Sequence, residues 1–132
     1  MNDCLFCKII NGDIPSYTVY EDDKVKAFLD VNPNSDGHVL VIPKEHYENL
    51  FETPNEIIIY MIDTIKTKIY PILKDKLNID GLTICQNNYY GQDVKHFHIH
   101  LIPRYNGDSF KCSFDKNEVS DVKDVYEKLK AE

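Results

Sequence analysis

The sequence predicts an α+β fold: a five-stranded, mainly antiparallel sheet with one long helix and one short C-terminal helix. Three observations carry this. Strand-like runs follow one another closely between positions 17 and 43, an apolar stripe at helical spacing begins near Ile58, and further strand-like runs occupy 81–86 and 95–103. At 132 residues the chain fits one domain. In it, 1–105 form the main body and 106–132 an extension of the same unit that ends in the short helix.

In chain order, 17–21, 25–30 and 38–43 read as a meander. Asp22 and Asp23 turn the first corner, and the Asn, Pro, Ser, Asp and Gly residues of 32–37 fill the second. Thr53, Pro54 and Glu56 have capping-box spacing, so a helix is predicted to start there with Thr53 as its cap. Ile58, Ile62, Ile65, Ile69 and Ile72 then recur at steps of three and four, a stripe to pack on the sheet. Pro71 should kink that helix or shorten it, because it removes a backbone donor. Beyond the last strand, Ser120 is the predicted cap of a helix carrying Val122, Val125, Tyr126 and Leu129.

Composition narrows the function. Fifteen basic against twenty-two acidic residues give a formal charge of -7, which argues against a nucleic-acid surface but leaves room for one small anion in a local pocket. No apolar stretch approaches the ~20 residues of a membrane span, and the N-terminus lacks the basic and apolar regions of a signal peptide. Four cysteines, at 4, 7, 85 and 112, make no disulfide framework. A reducing, cytoplasmic setting is expected, with Cys85 and Cys112 as core or surface thiols.

The most informative segment holds His96, His98 and His100 at alternating positions of a predicted strand. Spacing of two places all three rings on one face, about 7 Å apart, and turns Phe97, Ile99 and Leu101 into the core. Two chemistries use such a row. The rings can ligate a metal, or the middle ring can attack phosphorus, which requires a neutral imidazole with one nitrogen donating and the other free.

The run from Gly91 through Gln92, His96, His98 and His100 to Arg104 resembles the signature of the histidine triad family. Upstream, Gly37-His38-Val39-Leu40-Val41-Ile42-Pro43-Lys44-Glu45-His46 resembles that family's second block, and Cys4-Leu5-Phe6-Cys7 through Pro15 its N-terminal block. The likeness is to the Hint and bacterial Hit-like branch. Val94-Lys95 and Pro103-Arg104 add features similar to the Fhit-like branch.

The resemblance implies a nucleotide hydrolase or nucleotidyl transferase of the phosphoramidase type. His98 is the implied nucleophile at the α-phosphorus of a purine nucleoside phosphoramidate or related ester, with His100 and His38 supporting it. It implies Asp30 for the ribose, Gln92 with the backbone after Gly91 for phosphate, and Gln86 or Asn87 for a further amide. Phe6, Phe28 and Val31 are base-pocket candidates. Asp93 stands where the family carries Ser or Thr beside the leaving group, which bears on which leaving groups are accepted. Dinucleoside polyphosphate hydrolysis and a binding module with little turnover are the alternatives. A hydrolase with metal directly on His96, His98 and His100 is disfavoured, because ligands on one nearly straight strand converge poorly.

By their own spacing, Cys4 and Cys7 fit a redox pair, half a zinc site or two buried thiols; only three residues precede Cys4, which disfavours the redox motif. The resemblance implies structural zinc held by Cys4, Cys7, His46 and His96. It implies no organic cofactor, shows no dedicated magnesium site, and points to a homodimer.

Overall fold

The structure, a computed structural model, describes residues 3–111 and 114–131. Its sheet runs β1 (Thr18–Glu21), β2 (Val25–Leu29), β3 (Val39–Pro43), β5 (Ile99–Arg104), β4 (Gly81–Cys85), with every neighbouring pair antiparallel. The predicted meander is β1 to β3, and β5 crosses back to lie between β3 and β4.

Register decides what each face carries. Ala27, Val41 and Ile99 are paired across β2, β3 and β5 and face one side, where they join Met61, Ile65, Ile69, Leu73 and Phe97 in the main core. Phe28, Leu40 and His100 form the adjacent row on the other side. There Phe6 and Ile9 cover Phe28, Leu40 and Ile42 in a second, smaller core. The histidines therefore sit on the face opposite the long helix.

That helix is a continuous run of α2 (Asn55–Thr64), one π-helical segment (Ile65–Ile69) and α3 (Tyr70–Leu77). Pro71 neither breaks nor ends it. The wider turn before it absorbs the missing donor and gives the ring room against the preceding carbonyls. Ile65 and Ile69 are buried as predicted and Ile58 packs against the same core, while Met61 and Leu73 take the places of Ile62 and Ile72; Ile62 is exposed. The cap also differs. Thr53 Oγ1 donates to Asn49 O at 2.7 Å, and Pro54, with no side-chain cap, precedes α2. Asn49 is committed to a 3-10 turn (Leu50–Glu52), accepting from Phe51 N and Glu52 N.

Two further differences concern the chain ends. No helix is predicted before β1, yet α1 (Leu5–Ile10) forms there, capped by Cys4 Sγ accepting from Cys7 N at 3.3 Å. At the other end, Asp121 rather than Ser120 caps α4 (Val122–Lys130). Phe6 and Ile9 are the residues that α1 buries, and a helix this short does not hold itself in water without such tertiary contacts. Cys85 is exposed at the end of β4, and Cys112 lies outside the described residues. No helix among the described residues is long and apolar enough to cross a membrane.

Candidate active site

The strand predicted at 95–103 begins only at Ile99, because Phe97 N donates to Tyr47 O at 2.7 Å instead of to a sheet partner. His96 and His98 consequently precede the strand, but both rings meet Phe6 on the face opposite the main core. His98 and His100 are 4.9 Å apart, centroid to centroid, while His96 turns toward the cysteines. Phe97, Ile99 and Leu101 do enter the main core, as their alternation predicts.

His98 is buried, and its Nδ1 lies 2.8 Å from His96 O. A carbonyl only accepts, so the proton is on Nδ1 and Nε2 keeps its lone pair. The ring lines a cavity of about 420 Å³, the scale of a small-molecule site. Its lining combines apolar side chains, Phe6, Ile9, Phe28 and Val31 among them, with Asp30, His38, His98, His100 and Asp93.

His38 and His100 are tied in series. Asn34 N donates to His38 Nδ1 at 3.0 Å, so the His38 proton sits on Nε2, which lies 3.0 Å from His100 Nδ1. His38 thus donates to His100, and His100 carries its own proton on Nε2. Asp30 accepts from Asn32 N through Oδ1, and its Oδ2 is 3.6 Å from His38 Nε2. The register explains this grouping: Asp30 N donates to His38 O at 2.9 Å, which prolongs the β2–β3 ladder by one step. Gly37, at φ +90, precedes His38 where any Cβ would stand 2.5 Å from Leu77 Cδ1.

Burial holds these rings neutral. It lowers the pKa of His98, against the opposing pull of the His96 carbonyl and of the Asp93 and Asp30 carboxylates. Burial, reinforced by His98 and His38, brings His100 down to about 4. His38 is lowered by burial, opposed by Asp30.

A second cluster adjoins the first. His96 Nδ1 lies 3.4 Å from Cys4 Sγ and 3.6 Å from Cys7 Sγ, and His46 Nδ1 lies 3.4 Å from Cys7 Sγ. All four ligand atoms fall within 4.8 Å of one another. A tetrahedral zinc with bonds of about 2.0–2.3 Å needs ligand separations of about 3.3–3.8 Å, so the donor set and its spacing fit that ion. His96 Nε2 donates to Pro43 O at 2.8 Å, which leaves Nδ1 unprotonated toward the thiols. Asp30, His38 and His100 also fall within ligand range of each other. They do not fit a metal, because the Asn34 N–H occupies the His38 Nδ1 lone pair and the remaining nitrogen carries a proton.

Four predicted residues are not brought to the cavity. Gln92 is buried elsewhere: its Nε2 donates to Glu48 O at 2.6 Å and Val94 O at 2.9 Å, and Tyr89 N donates to its Oε1. Gln86 and Asn88 clasp each other through their amides, and Asn88 Oδ1 also accepts from Leu50 N. Asn87 and Gly91 lie outside the lining as well, although Gly91 has the positive φ of +97 that a glycine favours. Sequence reasoning missed Asn34 and Ile9. Asn34 acts through its backbone, which no residue type announces, whereas Ile9 would have followed from recognising Phe6 and Ile9 as one face of a short helix.

Comparison with known proteins settles the family. A family model for the HIT domain matches residues 11–107. The chain belongs to the HIT family. An uncharacterized HIT-like protein of Methanocaldococcus jannaschii is 46% identical over 129 residues, 96% of this chain and 98% of that one. An adenosine 5'-monophosphoramidase of Candida albicans is 40% identical over 107 residues, 76% of this chain and 70% of its own. Among solved HIT structures, a zinc-bound histidine triad family protein from Mycobacterium smegmatis superposes with TM-score 0.77 at 38% identity, over 89% of this chain and 87% of that one.

Proposed function

We propose that this HIT protein cleaves purine nucleoside 5'-phosphoramidates or related nucleotidyl esters through a nucleotidyl intermediate on His98. The observation that carries the reading is the His98 ring itself: Nδ1–H is bound to His96 O, and Nε2 is unprotonated in a cavity lined by apolar side chains and by the Asp30 carboxylate. A base packs on the apolar lining and Asp30 takes the ribose hydroxyls, which brings the α-phosphorus to His98. The monophosphoramidase relative supports this choice of substrate.

His98 Nε2 forms the new bond to phosphorus while the bond from phosphorus to the leaving nitrogen or oxygen breaks. The leaving group departs with that electron pair and takes a proton from solvent at the cavity mouth. His100 Nε2–H, polarised by the His38 hydrogen bond behind it, donates to a non-bridging oxygen. Water then attacks phosphorus, His98 Nε2 leaves with its electron pair, and the water's proton returns to solvent. Nucleoside monophosphate is released and the neutral ring restored. Bound zinc would be held by Cys4, Cys7, His46 and His96 and would supply structural cross-linking, with His98 left to react.

The same reading treats 1–105 and 106–132 as one functional unit, a homodimer of the reducing cytoplasm. Support for pairing comes from β4, an edge strand with Ile84 exposed. Support for the compartment comes from the two thiols facing imidazoles. Intact-protein mass spectrometry of samples quenched during turnover of an adenosine 5'-phosphoramidate tests the reaction. A nucleotidyl adduct mapping to His98 is expected; turnover with the adduct elsewhere, or unaffected by His98→Ala, refutes it.

A further inference from the structure

Three features of the fold converge on α1. It is a six-residue helix, far below the length that holds itself in water. Its two cysteines, one capping it and one inside it, face His46 and His96. Between those cysteines stands Phe6, buried, whose ring meets His98 edge-on at 5.1 Å, Phe28 at 5.5 Å and His96 at 5.9 Å, and which lines the nucleotide cavity with Leu5 and Ile9. The clip that pins α1 therefore also pins one wall of the cavity.

His96 ties the two centres a second way. Its Nδ1 faces both thiols, its Nε2 donates to Pro43 O, and its backbone carbonyl accepts from His98 Nδ1. Anything that fixes the His96 ring fixes the peptide that orients His98.

We propose that Phe6 and His96 are positioning residues that link the four-ligand centre to the nucleotide cavity, so that metal and purine nucleotide each tighten the other's binding. The proposal rests on the nucleotide reading of the cavity given above. Metal in the clip holds α1 and the apolar wall in place before nucleotide arrives. Nucleotide packed on Phe6 in turn holds the two cysteines at ligand distance. Linkage makes the effect reciprocal: whatever factor zinc adds to nucleotide affinity, nucleotide adds to zinc affinity.

The test uses the full chain and AMP as the probe. AMP affinity is measured by titration calorimetry on the zinc-loaded and the chelator-stripped protein. Zinc affinity is measured by competition with a chelating dye, with and without saturating AMP. Both factors should be at least ~5-fold and equal within error. Phe6→Leu, which leaves all four ligands and the His96 route in place, should keep zinc binding and lower both factors equally, with the remainder carried by His96. Cobalt(II)-loaded protein gives an independent reading that needs no metal-free state: AMP should shift the thiolate-to-cobalt absorption band and raise cobalt affinity. Equal AMP affinity in loaded and stripped protein, a coupling factor unchanged in Phe6→Leu, or a cobalt spectrum and affinity indifferent to AMP each overturns the linkage. Failure of AMP to bind even the zinc-loaded protein is a distinct outcome, and it overturns the nucleotide reading together with the linkage.

Discussion

The cluster at Cys4, Cys7, His46 and His96 and the cluster at Asp30, His38 and His100 are built from similar side chains, but they place their protons oppositely. In the first, a carbonyl takes the His96 Nε2 proton, so a bare Nδ1 looks at two thiols. In the second, a backbone N–H fills the His38 lone pair, so a proton points at His100. One acceptor and one donor from the main chain separate a metal-binding geometry from a hydrogen-bond relay. Ligand distance alone does not distinguish them, since both clusters are tight enough for an ion. His98 follows the first pattern, with a carbonyl on Nδ1 and a bare Nε2, but faces a cavity instead of thiols.

The contrast is broken most severely at His98. His98→Ala should lower turnover by at least about three orders of magnitude and erase the adduct while AMP still binds, as single-turnover assay and calorimetry would show. Stripping the first cluster should act mainly on stability. At zinc a thousandfold above its dissociation constant, the ion contributes about 4 kcal/mol, so a marked fall in melting temperature is expected while measurable turnover persists. Immediate and total loss of catalysis on chelation would instead place the ion in the chemistry. His38→Ala removes the donor behind His100 and should lower kcat by on the order of 10²-fold, with no change in zinc stoichiometry.

The pH response sharpens the same comparison. His100 is held down to about 4 by burial and by neighbouring His98 and His38, against an ordinary value of 6.5. Between those values the unfolded chain binds more protons than the folded one, so stability is full above about 6.5 and declines as pH falls toward 4. A melting-temperature series across that window should show the decline, and His100→Asn should make it shallower, the remainder coming from His96, His98 and His38, which burial also lowers. The smallest effect is expected at Asp93, an exposed carboxylate on the cavity. Asp93→Ser should raise kcat/KM for anionic over amine leaving groups by a few-fold, an effect screened at high salt.

How much of this was legible in the sequence varied with the kind of signal. The meander and the long helix were written in local periodicity, and the turn residues of 32–37 marked the loop that brings His38 beside Asp30. Pro71 marked a real irregularity of the long helix, the π-helical segment before it, but not its end. α1 was missed because six residues with two apolar anchors offer too little pattern to count. Gln92 stands in a glycine loop suited to phosphate, yet its side-chain amide is engaged by the carbonyls of Glu48 and Val94, a tertiary contact that spacing along the chain does not announce.

Sequence by itself determined the residue types capable of the chemistry, the order of most elements and the family signature, because these depend on composition and on spacing along the chain. Only the tertiary structure decided which ring nitrogen carries a proton. That depends on whether a main-chain carbonyl or N–H, brought in from a distant strand or a turned-back loop, meets each histidine, and backbone groups are the same at every position of the sequence.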